Sequence, residues 1–304
     1  MKEKHTSSLG TFRSRGTGDK IFLIIVYILV IFAVCITLYP FIYVVSVSFS
    51  DGAAVSRGEV YLLPKGFDLT AFKMVMQYDQ LWVSYRNTFF YTVVGTTFNL
   101  VFSCLAAYPL SRKKFFLRRK LNFFMAFTMY FSGGLIPTYM IITGLGLYNS
   151  RWVMILPYLV SAYNVMILRS AMEAISEELF ESGRLDGAND FVLMAKIAVP
   201  LTKPTLAVIG LYYAVARYND FFTGMLYLSK TELQPLQMFL RRILIVASSE
   251  ILQSAGITSV AAAAQSTLKI RYVCIVLATI PILCICPFVQ RYLVSGTMLG
   301  AVKE

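Results

Sequence analysis

Six stretches of this 304-residue chain run for about the length of a bilayer crossing with almost no charge. A transmembrane helix needs about 20 consecutive, mostly apolar residues. Residues 21–49, 87–110, 121–150, 152–168 and 272–290 hold no Asp, Glu, Lys or Arg, and residues 205–229 hold only Arg217 and Asp220. Hydrophobic residues make up 57% of the chain and charged ones 14%, against about 45–50% and 25% in soluble domains. A surface that apolar excludes a soluble enzyme, and apolar dominance excludes a disordered chain. The expectation is an all-α integral membrane protein with six transmembrane helices. The first run is too long for a signal-peptide core and lacks a clear small-residue cleavage site, so it reads as a retained helix. Pro40 predicts a kink within it. Gly133, Gly134 and Pro137 in the third run favour close helix packing, with a helix broken beside a cavity as the alternative.

Charge placement sets the orientation. Residues 111–120 read SRKKFFLRRK, with six basic side chains and no acidic one. Such a loop stays on the cytoplasmic side. Alternation from there puts both termini in the cytoplasm, with seventeen basic residues inside and ten outside. The net charge of +12 thus follows membrane topology and does not call for a nucleic-acid partner. The chain divides into a cytoplasmic tail 1–20, a first helix 21–49, an outer loop 50–86, a five-helix core 87–290 and a cytoplasmic tail 291–304. The core includes a cytoplasmic segment 169–204 and an outer loop 230–271. Within the latter, LQMFLRRILI reads either as an amphipathic helix at the interface or as part of a loose loop.

Catalytic and metal chemistry have little to work with. The five cysteines sit in apolar runs without metal-type spacing, and the single histidine, His5, lies in a polar tail. No metal site, cofactor or catalytic residue is expected. No G-x-x-x-x-G-K-[ST] occurs, so the chain has no phosphate-binding P-loop.

Residues 169–204 are too long and too patterned for a connector. Ser176 is placed to cap a helix whose first turns carry Glu177, Glu178 and Glu181. Gly187 fits a left-handed helix end. A second helix over 189–199 then runs to Pro200. A charged helix pair with an apolar stripe suits docking to a protein. This segment resembles the EAA motif of bacterial ABC-importer permeases: Glu-Ala-Ala, three residues, Gly, nine residues, Ile-x-Leu-Pro. Here Glu181, Ser182 and Gly183 precede Gly187 by that spacing, and Ile197, Ala198, Val199 and Pro200 follow it. Ser182, Gly183 and Val199 depart from the pattern by small or apolar exchanges. Asp186, Gly187 and Ala188 look like the motif's usual centre.

The tail PFVQRYLVSGTMLGAVKE is similar to the end of the maltose-type sugar permeases. YFSGGLIPTY and LYYAVARYNDFF are similar to a sub-branch that imports oligosaccharides. The resemblance implies a type I ABC-importer permease fold with a cytoplasmic coupling helix, in a bacterial cell membrane. It implies a second homologous permease, a cytoplasmic ATPase dimer and an extracytoplasmic sugar-binding protein as partners. ATP would be hydrolysed on the separate subunits, so the chain itself is not an enzyme. Glu181, Ser182, Gly183, Asp186, Gly187, Ala188, Ile197 and Pro200 would couple it to the ATPase. A permease for a non-sugar solute and an ion-driven secondary transporter are the alternatives.

Arg217 and Asp220 are the charges inside a span, where charge is costly. Their i, i+3 spacing allows an ion pair that braces the bundle. The other readings are a substrate path using Arg217, Tyr218, Asn219 and Asp220, with Arg217 taking a uronic carboxylate, or a position near an interface.

Overall fold

A computed structural model describes residues 17–245, 268–281 and 283–284. His5, Cys286, most of the N-terminal tail, residues 246–267 and the sugar-permease-like C-terminal tail lie outside the described residues. The described residues form helices and turns and include no strand.

The chain divides into two compact units. In the first, helix α1 (Thr17–Phe49) runs through Pro40 as one helix, so the proline does not break it. Backbone groups in an apolar run have no water to turn to, which favours keeping the helix. The most apolar part of α1 is wholly unburied, as a lipid-facing helix would be. Its end packs Val47 against Ala54 and Val60, with the Tyr43 ring edge-on to Tyr272 at 6.0 Å. Lys269, 3% exposed, donates to Asp68 Oδ2 at 2.6 Å and to the Asp68 carbonyl at 2.7 Å.

The second unit is organised by α2 (Asp79–Ser111), followed by α3 (Arg118–Tyr130), α4 (Leu135–Gly144), α5 (Ala162–Glu173), α6 (Glu177–Leu185), α7 (Asp190–Leu201), α8 (Lys203–Tyr218), α9 (Phe222–Tyr227) and α10 (Leu236–Ile245). Two helices, α1 and α2, are long and apolar enough to cross a membrane singly. Counting three bent pairs as single spans gives up to five among the described residues.

The third predicted span is one of these bent pairs. Between α3 and α4 the chain turns by 113°. Gly134 takes φ +82°, and no atom lies within 4 Å of where its Cβ would be. Gly134 therefore serves a left-handed break and not the close packing that the sequence favoured. The fourth begins as short 3-10 turns over residues 151–158 and bends by 50° into α5. The fifth ends its main helix at Tyr218.

Broken backbone needs partners, and α2 supplies them from a buried polar stripe. Asn87 Nδ2 donates to the Glu232 and Gln234 carbonyls at 2.7 and 3.2 Å. Asn99 Nδ2 donates to the Tyr158 and Leu159 carbonyls at 2.6 and 2.7 Å. Thr88 Oγ1 accepts from Leu236 N at 2.7 Å. Irregular backbone is tolerated at membrane depth when neighbours satisfy it in this way. The last bond starts α10, the LQMFLRRILI helix. Leu236, Phe239, Leu240 and Ile243 are buried, so the segment is an amphipathic helix packed by its apolar face and not a loose loop.

Candidate functional site

Two clusters in the second unit carry chemistry. The first joins the basic loop after α2 to the α6–α7 pair. Helix α6 ends where the sequence predicted. Gly187 has φ +81°, its N–H donates to the Arg184 carbonyl at 3.0 Å, and Ala188 N–H donates to the Gly183 carbonyl at 3.0 Å. This pair of bonds is the Schellman motif, which requires a residue at ease with positive φ. Asp186, Gly187 and Ser182 are exposed around the turn, and Leu185 is 89% exposed.

Gly183 lies at the crossing of α6 and α7. A Cβ there would stand 2.5 Å from Leu193 Cδ2 and 3.4 Å from Ile197 Cδ1. The small residue therefore permits the close approach that the sequence suggested. Ser176 occupies the N-cap position of α6 but makes no cap bond through its side chain. Asn189 caps α7, its Oδ1 accepting from Val192 N at 2.9 Å. Helix α7 does not stop at Pro200. Met194–Ala198 form a π turn and the helix continues to Leu201. A π turn just before a proline absorbs the bond that the proline cannot make.

The sequence reading missed the loop's role in holding this pair. Arg112, 5% exposed, donates from Nε to Ser111 Oγ at 3.0 Å and from Nη2 to the Met172 carbonyl. Its Nη1 lies 3.3 Å from Glu177 Oε2, and its guanidinium carbon sits 3.9 Å from the Phe180 ring centre. Arg184 then links Glu177 to Asp190 at 3.5 Å on each side, and Tyr108 donates to Asp190 at 3.3 Å. Lys114 pairs with Glu181 at 3.0 Å, and Arg118 with Glu173. The signal was present in the six basic residues of one loop facing six acidic residues of one segment. Topology alone had accounted for the first set.

The second cluster surrounds Arg217, which is 6% exposed. The ion pair allowed by spacing does not form. Arg217 donates from Nε to Asn99 Oδ1 at 3.2 Å, from Nη1 to the Met154 carbonyl, and from Nη2 to the Ile155 and Tyr158 carbonyls at 3.1 and 2.7 Å. Asp220 instead accepts from Thr223 N at 3.0 Å. Tyr218 donates to the Ala278 carbonyl at 2.6 Å, and Asn219 is exposed and bonded to Val215 O and Gln237. Neither lines the adjacent cleft of about 530 Å3. That cleft is walled by Arg217, Asp220, Tyr158, Asn164, Tyr212 and Thr223 among others. Sequence reasoning named the first two and missed the rest, which come from separate elements.

No family model matches the chain. It is 36% identical over 285 residues to the polygalacturonan/rhamnogalacturonan transport system permease protein of Bacillus subtilis (strain 168), covering 94% of this chain and 99% of that one. It is 28% identical to the galactooligosaccharides transport system permease protein of the same organism, covering 92% and 95%. Among solved structures it matches a bacterial ABC transporter involved in the import of the acidic polysaccharide alginate. That match has 36% identity and a TM-score of 0.86 over 91% of this chain and 98% of that one. A second alginate-transporter chain, from a complex with an alginate-pentasaccharide-bound periplasmic protein, shares the fold at 17% identity and TM-score 0.51, covering 82% and 92%. The chain belongs to the permease subunits of carbohydrate ABC transporters.

Proposed function

We propose that this permease crosses the bacterial cytoplasmic membrane six times with both termini inside, and that α6 and α7 couple it to a cytoplasmic ATPase dimer. The domain limits are those read from the sequence. A second permease completes the membrane channel, and an extracytoplasmic binding protein delivers an oligosaccharide to it. The observation that carries this reading is the left-handed turn at Gly187, presented on an exposed surface in a chain of this family.

In that arrangement Asp186 and the exposed carboxylate of Glu181 offer charge-assisted contacts to the ATPase. Ser182 and Ala188 keep the approach close. Gly183, Ile197 and Pro200 hold α6 against α7 so that the pair moves as one body. Closure of the ATPases on ATP shifts the pair, and the permeases rock between outward-open and inward-open states. The cleft beside Arg217 lies on the substrate path. Tyr158 and Tyr212 offer ring faces, Asn164 and Asp220 offer partners for hydroxyls, and Arg217 braces the wall from behind.

A pull-down of the tagged chain in mild detergent tests the assembly. An ATPase and a homologous permease are expected to come with it. A chain recovered alone, or only with copies of itself, under several detergents overturns the reading. Gly187→Val tests the turn, because a β-branched residue resists positive φ. The variant should reach the membrane and lose sugar uptake; full uptake would rule out the proposed coupling turn.

A further inference from the structure

The loop after α2 has two faces, and only one is used within the chain. Arg112 and Arg118 turn inward onto Glu177 and Glu173, and the exposed Lys114 reaches across to Glu181. Lys113, Arg119 and Lys120 are exposed and have no ion pair or hydrogen bond to any described side chain. Beside them Phe116 is 85% exposed. Lys113, Phe116, Arg119 and the paired Arg118 border a cleft of about 530 Å3, with Asn122 in its wall and Lys120 outside its lining. The Asn122 Oδ1 has no hydrogen-bond partner. Arg119 and Lys120 also fall in the first turn of α3, which has no acidic residue. Positive charge there opposes the helix dipole.

This face connects the end of one membrane helix to the first limb of a broken span, which puts it at headgroup depth. We infer that it is a binding site for the headgroup of an anionic phospholipid, with Phe116 inserted beside the acyl chains. The phosphodiester lies against Lys113 and Arg119, and Lys120, the next residue of α3, adds to the positive field. A rotated Asn122 amide offers its acceptor to a headgroup hydroxyl, which favours phosphatidylglycerol. Basic clusters next to a membrane helix recognise anionic headgroups by this chemistry. The inference rests on the family's membrane location and not on the coupling role of α6, so the two fail separately.

The test is native mass spectrometry of the whole transporter from mild detergent, titrated with phosphatidylglycerol or phosphatidylcholine. The unaltered complex should retain phosphatidylglycerol preferentially. The triple variant Lys113→Gln, Arg119→Gln, Lys120→Gln should lose that preference by about fivefold per removed cation. Equal retention of the two lipids, or an unchanged preference in the variant, overturns the site. Loss of a protein subunit with lipid retention unchanged also overturns it and assigns the face to that subunit. Displacement of the lipid by millimolar inorganic phosphate would make it a free-anion site. If the triple variant does not assemble, Phe116→Trp keeps every cation in place. Its added fluorescence should be quenched more by brominated phosphatidylglycerol than by brominated phosphatidylcholine, and equal quenching counts against the proposal.

Discussion

Two buried arginines lie against α2, and they are satisfied by different kinds of acceptor. Arg217 meets neutral oxygens: one side-chain amide and three backbone carbonyls from the broken segment before α5. Arg112 meets a carboxylate and a ring on α6 and a carbonyl at the end of α5. Burial does not separate them, at 6% and 5% exposed. Their partners do. A charge spread over backbone dipoles is held by a frame that cannot move without breaking several bonds together. A charge shared with one carboxylate and one ring ties two helices and fixes how they sit. Arg217 is a brace for the membrane part, whereas Arg112 stands where a shift of α6 would reach α2.

The largest expected effect breaks the brace. Arg217→Met leaves Asn99 Oδ1 and the Met154 and Ile155 carbonyls without the arginine donor, while the Tyr158 carbonyl keeps Asn99 Nδ2, at about 1–3 kcal/mol for each group left unmet. A loss on the order of 5 kcal/mol should remove most of the permease from the membrane. Arg217→Lys should recover little, because an ammonium cannot span the geometry of a guanidinium fork. Membrane abundance and the melting temperature of the complex read this directly. Normal values for the methionine variant would erase the contrast between the two arginines.

Arg112→Gln should act differently. Glu177 keeps Arg184 as a partner, so the folding cost is smaller, about 1–3 kcal/mol for the lost buried contacts. The expected change is in the ratio of sugar moved to ATP hydrolysed, which should fall by about tenfold in reconstituted transporter. An unchanged ratio with lowered melting temperature would make Arg112 another brace.

What the sequence disclosed and what it withheld follow one physical line. Apolar length and the Gly187 turn are local properties, and both are legible: α1 and the end of α6 stand where they were expected, and α2 covers its expected run but begins eight residues earlier, at Asp79. The role of Gly183 was also readable, since a small residue at a helix crossing needs only one neighbour. The partners of Arg217 were not. They come from residues 99, 154, 155 and 158, brought together by a break that is visible only in three dimensions. The i, i+3 spacing offered Asp220 as the cheaper local solution, and tertiary contacts replaced it. The pairing of Arg112, Lys114 and Arg118 with the acidic segment was hidden for another reason. Membrane orientation already explained a basic loop, so nothing in the sequence called for a second use.

Gly183→Ala sharpens the comparison on the α6 side. The new methyl needs space now held by Leu193 Cδ2, and Leu193 is 1% exposed. Overpacking of this kind costs about 1–3 kcal/mol. Pairing it with Leu193→Val should restore part of the loss in a thermal melt. Additive losses would mean that α6 and α7 relax apart and do not move as one body.

The smallest effect uses pH to separate kinds of buried cation. Lys269, like Arg217, is buried, but its acceptor titrates. Burial alone would raise the Asp68 carboxyl, yet hydrogen bonds from Lys269 and Thr70 outweigh it and hold the pKa at about 2. An unfolded aspartate titrates near about 3.9. The folded value is lowered, so the pair's contribution is complete above about pH 4 and is lost as pH falls toward 2. Arg217 hydrogen-bonds to acceptors that do not titrate, and the Asp220 carboxylate acts on it only through space, so its contribution should change less over that window. Melting temperatures at pH 6 and pH 3 should therefore differ by a few degrees more in the native chain than in Asp68→Asn. The same comparison in an Asp220→Asn background, which keeps every Arg217 hydrogen bond, should leave that difference in place. If the pH dependence vanished there instead, the two cations would share one network, and the distinction drawn from their acceptors would have to be given up.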